Sequence, residues 1–319
     1  MATFAKTLPP RDATGTDLLI PSTPHARKST FSHSSYAAFR PSYPPSLYNA
    51  VLSYHRGPRT LLVDLGTGHG LVAREFSKHF DHVLGTDPSK GMIATAKSLT
   101  PAGEFPNVEF REAVAEDLPF LQDGSVDMIV AGQAAHWFNY ARLFPELKRV
   151  VRKGGSITFW GYKDPAFVDY PKATKVLDDY AYGKGRDRMG DYWSQPGRSI
   201  VQNKLRDIKP PPADWEDIQR IEYEPGSQGP RSGEGTLFMH RATKLGALKD
   251  YVRTWSAFHS WQEANPDRKR RSEGGPGDLT DDLLDDIVAS EKEFREAENW
   301  EEKEVEMEWG SGILLARKK

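Results

Sequence analysis

An aspartate closing an apolar run, followed by glycines at every second position, makes "LLVDLGTGHG" (residues 61–70) a segment able to hold a nucleotide-like ligand. Gly66, Gly68 and Gly70 carry no side chain to keep a ligand off the backbone. The "LVAREFSKHF" that follows has helical spacing and would offer N–H groups without partners in its first turn. A second acid, Asp87, ends the run "HVLGTD" roughly 20 residues further on, where a carboxylate can take two ribose hydroxyls. The dinucleotide pattern G-x-G-x-x-G is not met, because Leu71 stands where its third glycine belongs. Asp87 also has a plainer reading as the N-cap of a helix that begins in "DPSKGM" with Pro88 in its first turn.

The elements that must carry these residues are short apolar runs of strand character: "RTLLVDLG", "HVLGTD", "NVEFREA", "VDMIVAG" and "SITFWGY". The segments between them are long enough for crossover helices, the alternation of a parallel α/β sheet. In 140–152, Leu143, Phe144, Leu147, Val150 and Val151 fall on one helical stripe, "KGG" stops it, and a strand is expected at 155–162. Beyond Tyr162 the alternation fails. A stretch to about residue 214 scatters Tyr170, Tyr180, Tyr182, Tyr192 and Trp193 among Gly, Pro and Arg, and reads as an insertion over the sheet. "IQRIEYE" (218–224) reads as a strand and 225–236 as a loop. "KLGALKDYVRTWSAFHSW" reads as one amphipathic helix, and a charged helix lies near 279–299. Val305, Met307 and Trp309 alternate as in a last strand.

Lys and Arg number 43 against 45 Asp and Glu, a formal charge of −2, so nothing global points to nucleic acid. The absence of cysteine excludes disulfides and thiolate metal sites; H-E-x-x-H and G-x-S-x-G are also absent, and no metal is expected. No run approaches the roughly 18 apolar residues of a membrane span, which suggests a cytoplasmic protein, monomeric or homodimeric. Residues 1–30 mix Pro, Thr, Ser and charge and are expected to be a disordered tail. "DRKRR" (267–271) and the acidic run 291–308 read as solvated surface.

With these runs in order, residues 31–162 resemble the class I S-adenosylmethionine-dependent methyltransferases. "VDLGTGHG" is similar to the family's first motif and "VLGTDPSKGMI" to its second. "AEDLPFLQDGSVDMIVAGQAAHWF" is similar to the third and fourth, and "ELKRVVRKGGSITFW" to the helix and strand after them. "YAAFRPSYP", "AAHWF" and "YVRTWSAFHSW" are similar to fungal trans-aconitate methyltransferase-like proteins. The resemblance implies a Rossmann-like doubly wound sheet over 31–162, with 163–319 supplying helical cap insertions and the last strands. It implies S-adenosylmethionine as cofactor. Asp64 and the backbone of Gly66 and Gly68, with Thr67 between them, would hold its amino-acid end, Asp87 its ribose and Pro88 one face of the adenine. Many members place Asp before "AE"; Val114 stands there, so Glu116 or Asp117 would meet the adenine amino group. Gln133 would line the site beneath the sulfonium, while Tyr36 and Arg40 would fold over the cofactor or simply pack ahead of a helix.

Methyl transfer from a sulfonium is an in-line displacement, so the protein must align the reactants and exclude water. A carboxylate acceptor is already ionised at neutral pH and needs a cationic holder instead of a base. Arg253 in "YVRTW" is the candidate, against the plainer reading of a solvated helix face. His136 would be a base or a shaped wall beside Trp137, and Trp160 would line the pocket. The expected function is O-methylation of a small carboxylic acid. The alternatives are C- or O-methylation of a phenolic or polyketide-like metabolite, and a cofactor-binding module without catalysis.

Overall fold

The computed structural model describes residues 42–319; the expected tail at 1–30 and the lid residues Tyr36 and Arg40 lie outside it. Helix α1 (Pro45–Tyr54) leads into β1 (Leu61–Leu65), α2 (Leu71–Phe76), β2 (His82–Asp87), α3 (Lys90–Ser98), β3 (Val108–Glu112), β4 (Val126–Gly132), α4 (Tyr140–Val150) and β5 (Val151–Phe167). The five strands pair in parallel in the order β3-β2-β1-β4-β5. Parallel strands are covered on both faces, which is why β4 is buried from Val126 to Ala131 and apolar there except at Asp127, which accepts the Thr60 and Leu61 N–H groups. On β1, Leu62 faces the cluster under α1 to α3, while Val63 and Leu65 face the opposite one under α4.

The second half of the chain completes this sheet. Helices α5 (Pro171–Tyr182) and α6 (Gly197–Gln202) precede β6 (Trp215–Glu224), the two-residue β7 (Glu234–Gly235) and β8 (His240–Lys244). Then α7 (Leu248–Arg253), α8 (Ser256–Ala264), α9 (Leu279–Ser290) and α10 (Lys292–Arg295) lead to β9 (Glu304–Lys318). β9 lies between β5 and β6, antiparallel to both, and its first half also pairs β8. Val305, Met307 and Trp309 are buried against the cap, as their alternation predicts.

Several expectations are corrected. The helix after the glycine loop is six residues long, too short for a substantial dipole. The strand expected at 155–162 runs Val151–Phe167: Val151 pairs β4 at Val126, and β9 pairs the strand from Ser156 to Phe167 with a shift between Tyr162 and Pro165. The single helix expected over 244–261 is broken: Trp255 is extended (φ −75°, ψ 140°), its ring is buried, and the Thr254 hydroxyl donates to the Tyr251 carbonyl at 2.6 Å. Two short helices can thus turn different apolar faces to the core. The charged surface is not simply wet either. Glu308 is 2 % exposed and accepts the Tyr223 hydroxyl at 2.5 Å, Glu291 takes the first N–H groups of α5, and Arg268 and Arg271 bind Asp282 on α9.

Candidate active site

β1 sits between β2 and β4, so the chain departs from it in opposite directions and leaves a crevice at the strands' carboxyl ends. The glycine loop fills one side. Gly66, Gly68 and Gly70 have φ of 67°, 54° and 83°, a region costly for residues with a Cβ. Their surroundings differ. A Cβ on Gly66 would stand 2.5 Å from that of Ala134, and one on Gly70 would stand 2.7 Å from the Phe110 ring. A Cβ on Gly68 would meet nothing within 4 Å among the described residues. The first and third glycines let the loop pack, and the middle one faces open space.

Asp64 is buried beneath this loop. Its Oδ2 accepts the Thr67 hydroxyl at 2.6 Å, and its Oδ1 is buried without a hydrogen-bond partner among the described residues. Burial pushes its carboxyl up to about 7 and the Asp87 charge adds to the rise, while the Thr67 hydroxyl and the Ala73 N–H oppose it. Asp87, 9 % exposed, joins the two loops: Oδ2 accepts the Gly68 N–H at 3.1 Å and Oδ1 the Ser89 N–H at 2.8 Å. It is not the helix cap. Ser89 caps α3 by accepting the Met92 N–H, and Pro88 stands ahead of the cap, half-buried. A nucleoside carrying an amino-acid tail suits this donor set: open backbone at Gly68, a carboxylate oxygen at Asp64 awaiting a cation or donor, and at Asp87 a fixed carboxylate. Glu116 is half-buried and accepts the Asn139 N–H at 2.7 Å, tying the loop after β3 to the start of α4, while Asp117 is exposed.

Across from the loop, the chain leaves β4 through Gln133, at φ 54°. Its side-chain amide donates to the Tyr162 carbonyl at 2.9 Å and accepts the Tyr162 N–H at 2.8 Å, locking the ends of β4 and β5 together. His136 and Trp137 follow in a turn of 3₁₀ helix (Ala135–Trp137), rings 4.6 Å apart. These three residues and Tyr162 line a cavity of about 80 Å³, against roughly 10–15 Å³ needed for one water. Its cap side is Trp193, Arg198, Tyr251 and Trp255, and Lys163 and Asp164 form another wall. The rings run on into the core: Trp193 to Trp255 at 5.7 Å, Trp255 to Tyr251 at 5.7 Å, Tyr251 to Trp309 at 6.0 Å.

Two expected lining residues stand elsewhere. Trp160 is 2 % exposed and packs on Gly132 and edge-on to Tyr43 and Tyr48, under α1. Arg253 donates from Nε to Asp278 at 2.9 Å, with Asp250 and Asp281 at 3.5 and 3.6 Å, so its fork holds the start of α9. The arginine that does face the cavity, with Lys163 on the adjoining wall, is Arg198 on α6. Its guanidinium lies 3.9 Å over the Trp193 ring and pairs with Asp164 and the Tyr182 hydroxyl. Sequence reasoning missed Arg198 and Asp164; the only signal near them was the aromatic insertion. Among the described residues, no group of three or more His, Asp or Glu could hold a metal ion, and no helix is long and apolar enough to cross a membrane.

A family model described as a methyltransferase domain matches residues 63–159, from β1 to the middle of β5. A Saccharomyces cerevisiae protein named a probable S-adenosylmethionine-dependent methyltransferase, CRG1, is 32 % identical over 308 residues, covering 94 % of this chain and all of that one. A Dictyostelium discoideum protein provisionally named a methyltransferase is 35 % identical over 230 residues, 72 % of this chain and 77 % of its own. A solved structure provisionally named a type II methyltransferase, from Anaeromyxobacter dehalogenans, shares the fold at a TM-score of 0.62 and 24 % identity, covering 88 % of this chain and 98 % of that one. With similarity to CRG1 running through core and cap alike, the chain belongs to the S-adenosylmethionine-dependent methyltransferases.

Proposed function

We propose that this methyltransferase O-methylates a small carboxylic acid. The observation that carries the reading is the cation in the cavity: Arg198, with Lys163 on the adjoining wall, faces an aromatic chamber that begins at Gln133 and His136. A carboxylate can be drawn into such a site by charge and held by a planar fork. Similarity of "YAAFRPSYP", "AAHWF" and "YVRTWSAFHSW" to trans-aconitate methyltransferase-like proteins supports it.

When bound, S-adenosylmethionine supplies a methyl group on positively charged sulfur. A carboxylate acceptor, ionised at neutral pH, would need no base from the protein. The residues' part is therefore binding, alignment and exclusion of water. In this reading Asp87 holds the ribose, Pro88 and Glu116 or Asp117 the adenine, and Asp64, Gly66, Thr67 and Gly68 the amino-acid end. Gln133 and Trp137 shape the junction with the acceptor.

The test is transfer of a labelled methyl group to a panel of small carboxylic acids and phenols. A base-labile product from an acid supports the reading; a base-stable product from a phenol refutes it. His136 in the cavity favours that second reading, because a phenol, with its pKa near 10, needs a base that a carboxylate does not.

A further inference from the structure

The cavity's cation is already paired, and incompletely. Arg198 is 10 % exposed and Asp164 9 %, and the pair uses Nη2 of the guanidinium, shared with the Tyr182 hydroxyl. Nε of the same side chain is buried without a hydrogen-bond partner among the described residues. A carboxylate arriving from outside can take two parallel N–H bonds along the Nε–Nη2 edge of a guanidinium, whereas Asp164 engages one of them. A buried donor left empty is unfavourable, so the resident pair is a poorer solution than the fork permits.

Asp164 has somewhere to go. Lys163 and Asp164 form the wall between the chamber and a wider basin of about 890 Å³ against α5. Lys175, Asp178 and Asp179 also face this basin, as does Glu224, to which Lys163 is paired. A carboxylate turned toward the basin meets both lysines and three acids, a weaker setting than Arg198. The resident pair therefore stays closed until a better partner for the guanidinium arrives.

We infer that Asp164 is an internal stand-in for the acceptor's carboxylate: the incoming acid takes the Nε–Nη2 edge of Arg198, Asp164 turns out toward the basin, and Arg198 thereby selects anionic acceptors. This rests on the carboxylic-acid reading above. The exchange makes and breaks no covalent bond, and one carboxylate replaces another, so the buried guanidinium is never left without a counter-charge.

The experiment titrates succinate and benzoate, with succinamide and benzamide as neutral controls, into the full-length protein saturated with S-adenosylhomocysteine. Wild-type protein should prefer acid to amide by about tenfold or more, and Arg198→Gln should erase that preference. Asp164→Asn, which removes the competing charge and keeps the shape, should tighten the acids about three- to tenfold and leave the amides unchanged. Should Asp164→Asn fail to fold, Tyr182→Phe, which loosens the hold on Asp164, should give about a twofold gain in the same direction. S-adenosylhomocysteine affinity, unchanged in each variant, reports that the fold is intact. Equal or weaker acid binding by Asp164→Asn overturns the inference, since Asp164 would then be holding Arg198 in place, and so does an Arg198→Gln protein that still prefers acids. If no acid binds any form while a phenol is methylated, the carboxylic-acid reading fails and takes the inference with it. Base-labile ester formation indifferent to both variants defeats the inference alone.

Discussion

Gly66 and Gly68 share a backbone conformation and differ in what a methyl group would meet, so a pair of alanine substitutions separates packing from ligand contact. Each alanine takes on a left-handed conformation at φ 67° or 54°, costing about 1–2 kcal/mol. At Gly68 that is the whole cost to the ligand-free protein, because the new Cβ meets nothing within 4 Å among the described residues. For a chain of this size the loss is a fall of about 2–4 °C in Tm. At Gly66 the new Cβ would stand 2.5 Å from that of Ala134, well inside the roughly 3.5–4.0 Å of a relaxed carbon contact. Overpacking adds about 1–3 kcal/mol, for a total Tm fall of about 4–10 °C. Ligand binding should rank them the other way. The Gly68 methyl occupies the space where the cofactor would lie on the backbone, and should weaken S-adenosylhomocysteine at least about tenfold, roughly 1.4 kcal/mol. Gly66→Ala, measured well below its Tm, should lose less. Differential scanning fluorimetry and calorimetric titration on the same preparations give both rankings. A Gly68→Ala protein that binds S-adenosylhomocysteine as wild type does would refute the placement of the cofactor against this loop.

Asp64 gives a pH prediction. Its folded pKa, about 7, is above the ordinary 3.8, so between those values the folded protein keeps a proton the unfolded chain has lost, and ligand-free stability should fall as pH rises to about 7. A cofactor ammonium favours the ionised form, so S-adenosylhomocysteine should bind more tightly from pH 6 to 8 with proton release below 7, and Asp64→Asn should flatten both trends; calorimetry in two buffers that shows neither removes the pairing. Asp87→Ala deletes the acceptor of the Gly68 and Ser89 N–H groups and should weaken S-adenosylhomocysteine at least about tenfold; unchanged affinity would remove the ribose assignment. Arg253→Ala removes the Nε bond to Asp278, wholly buried, which keeps the Thr280 and Asp281 N–H groups and Arg270 at 3.8 Å, and should cost about 1.5–3 kcal/mol of stability, seen as a lower Tm. The folded variant should keep the wild-type KM for an acidic acceptor, and a raised KM would return Arg253 to the site.

The candidate cofactor side was legible because it is local. Asp64, the glycines and Asp87 fall within one strand-turn-helix-strand unit, and a parallel sheet leaves its signature as apolar runs at crossover spacing. The chamber was not, because it is assembled from distant segments: Gln133 to Trp137, Tyr162 to Asp164, Trp193 to Val201 and Tyr251 to Ser256. Between the two cap arginines, the deciding fact lies far along the chain. Arg253 meets a capping box, Asp278 and Asp281 at the start of α9, and Arg198 meets Asp164 on β5. Helical period alone likewise shows no reason to break 244–261. The break comes from a tryptophan whose burial outweighs local preference at Trp255.

What joins the two halves is the short segment after β4. Ala134 touches the position where a Cβ of Gly66 would be, and Gln133 binds Tyr162 from both ends of its amide. His136 and Trp137 join Gln133 in lining the chamber. A shift of the glycine loop would therefore press on the same residues that form the chamber floor. An in-line displacement tolerates little misplacement between acceptor and methyl, so one segment bearing on both sites holds their separation better than two independent loops would. The left-handed backbone at Gln133, uncommon for a residue with a side chain, is what lets the chain leave β4 and turn across both sites, and the amide clamp on Tyr162 holds it there. Under the proposed reading, diversity of acceptor would come from the cap, which supplies Trp193, Arg198 and Trp255 to the cavity, without disturbing the junction between cavity and glycine loop.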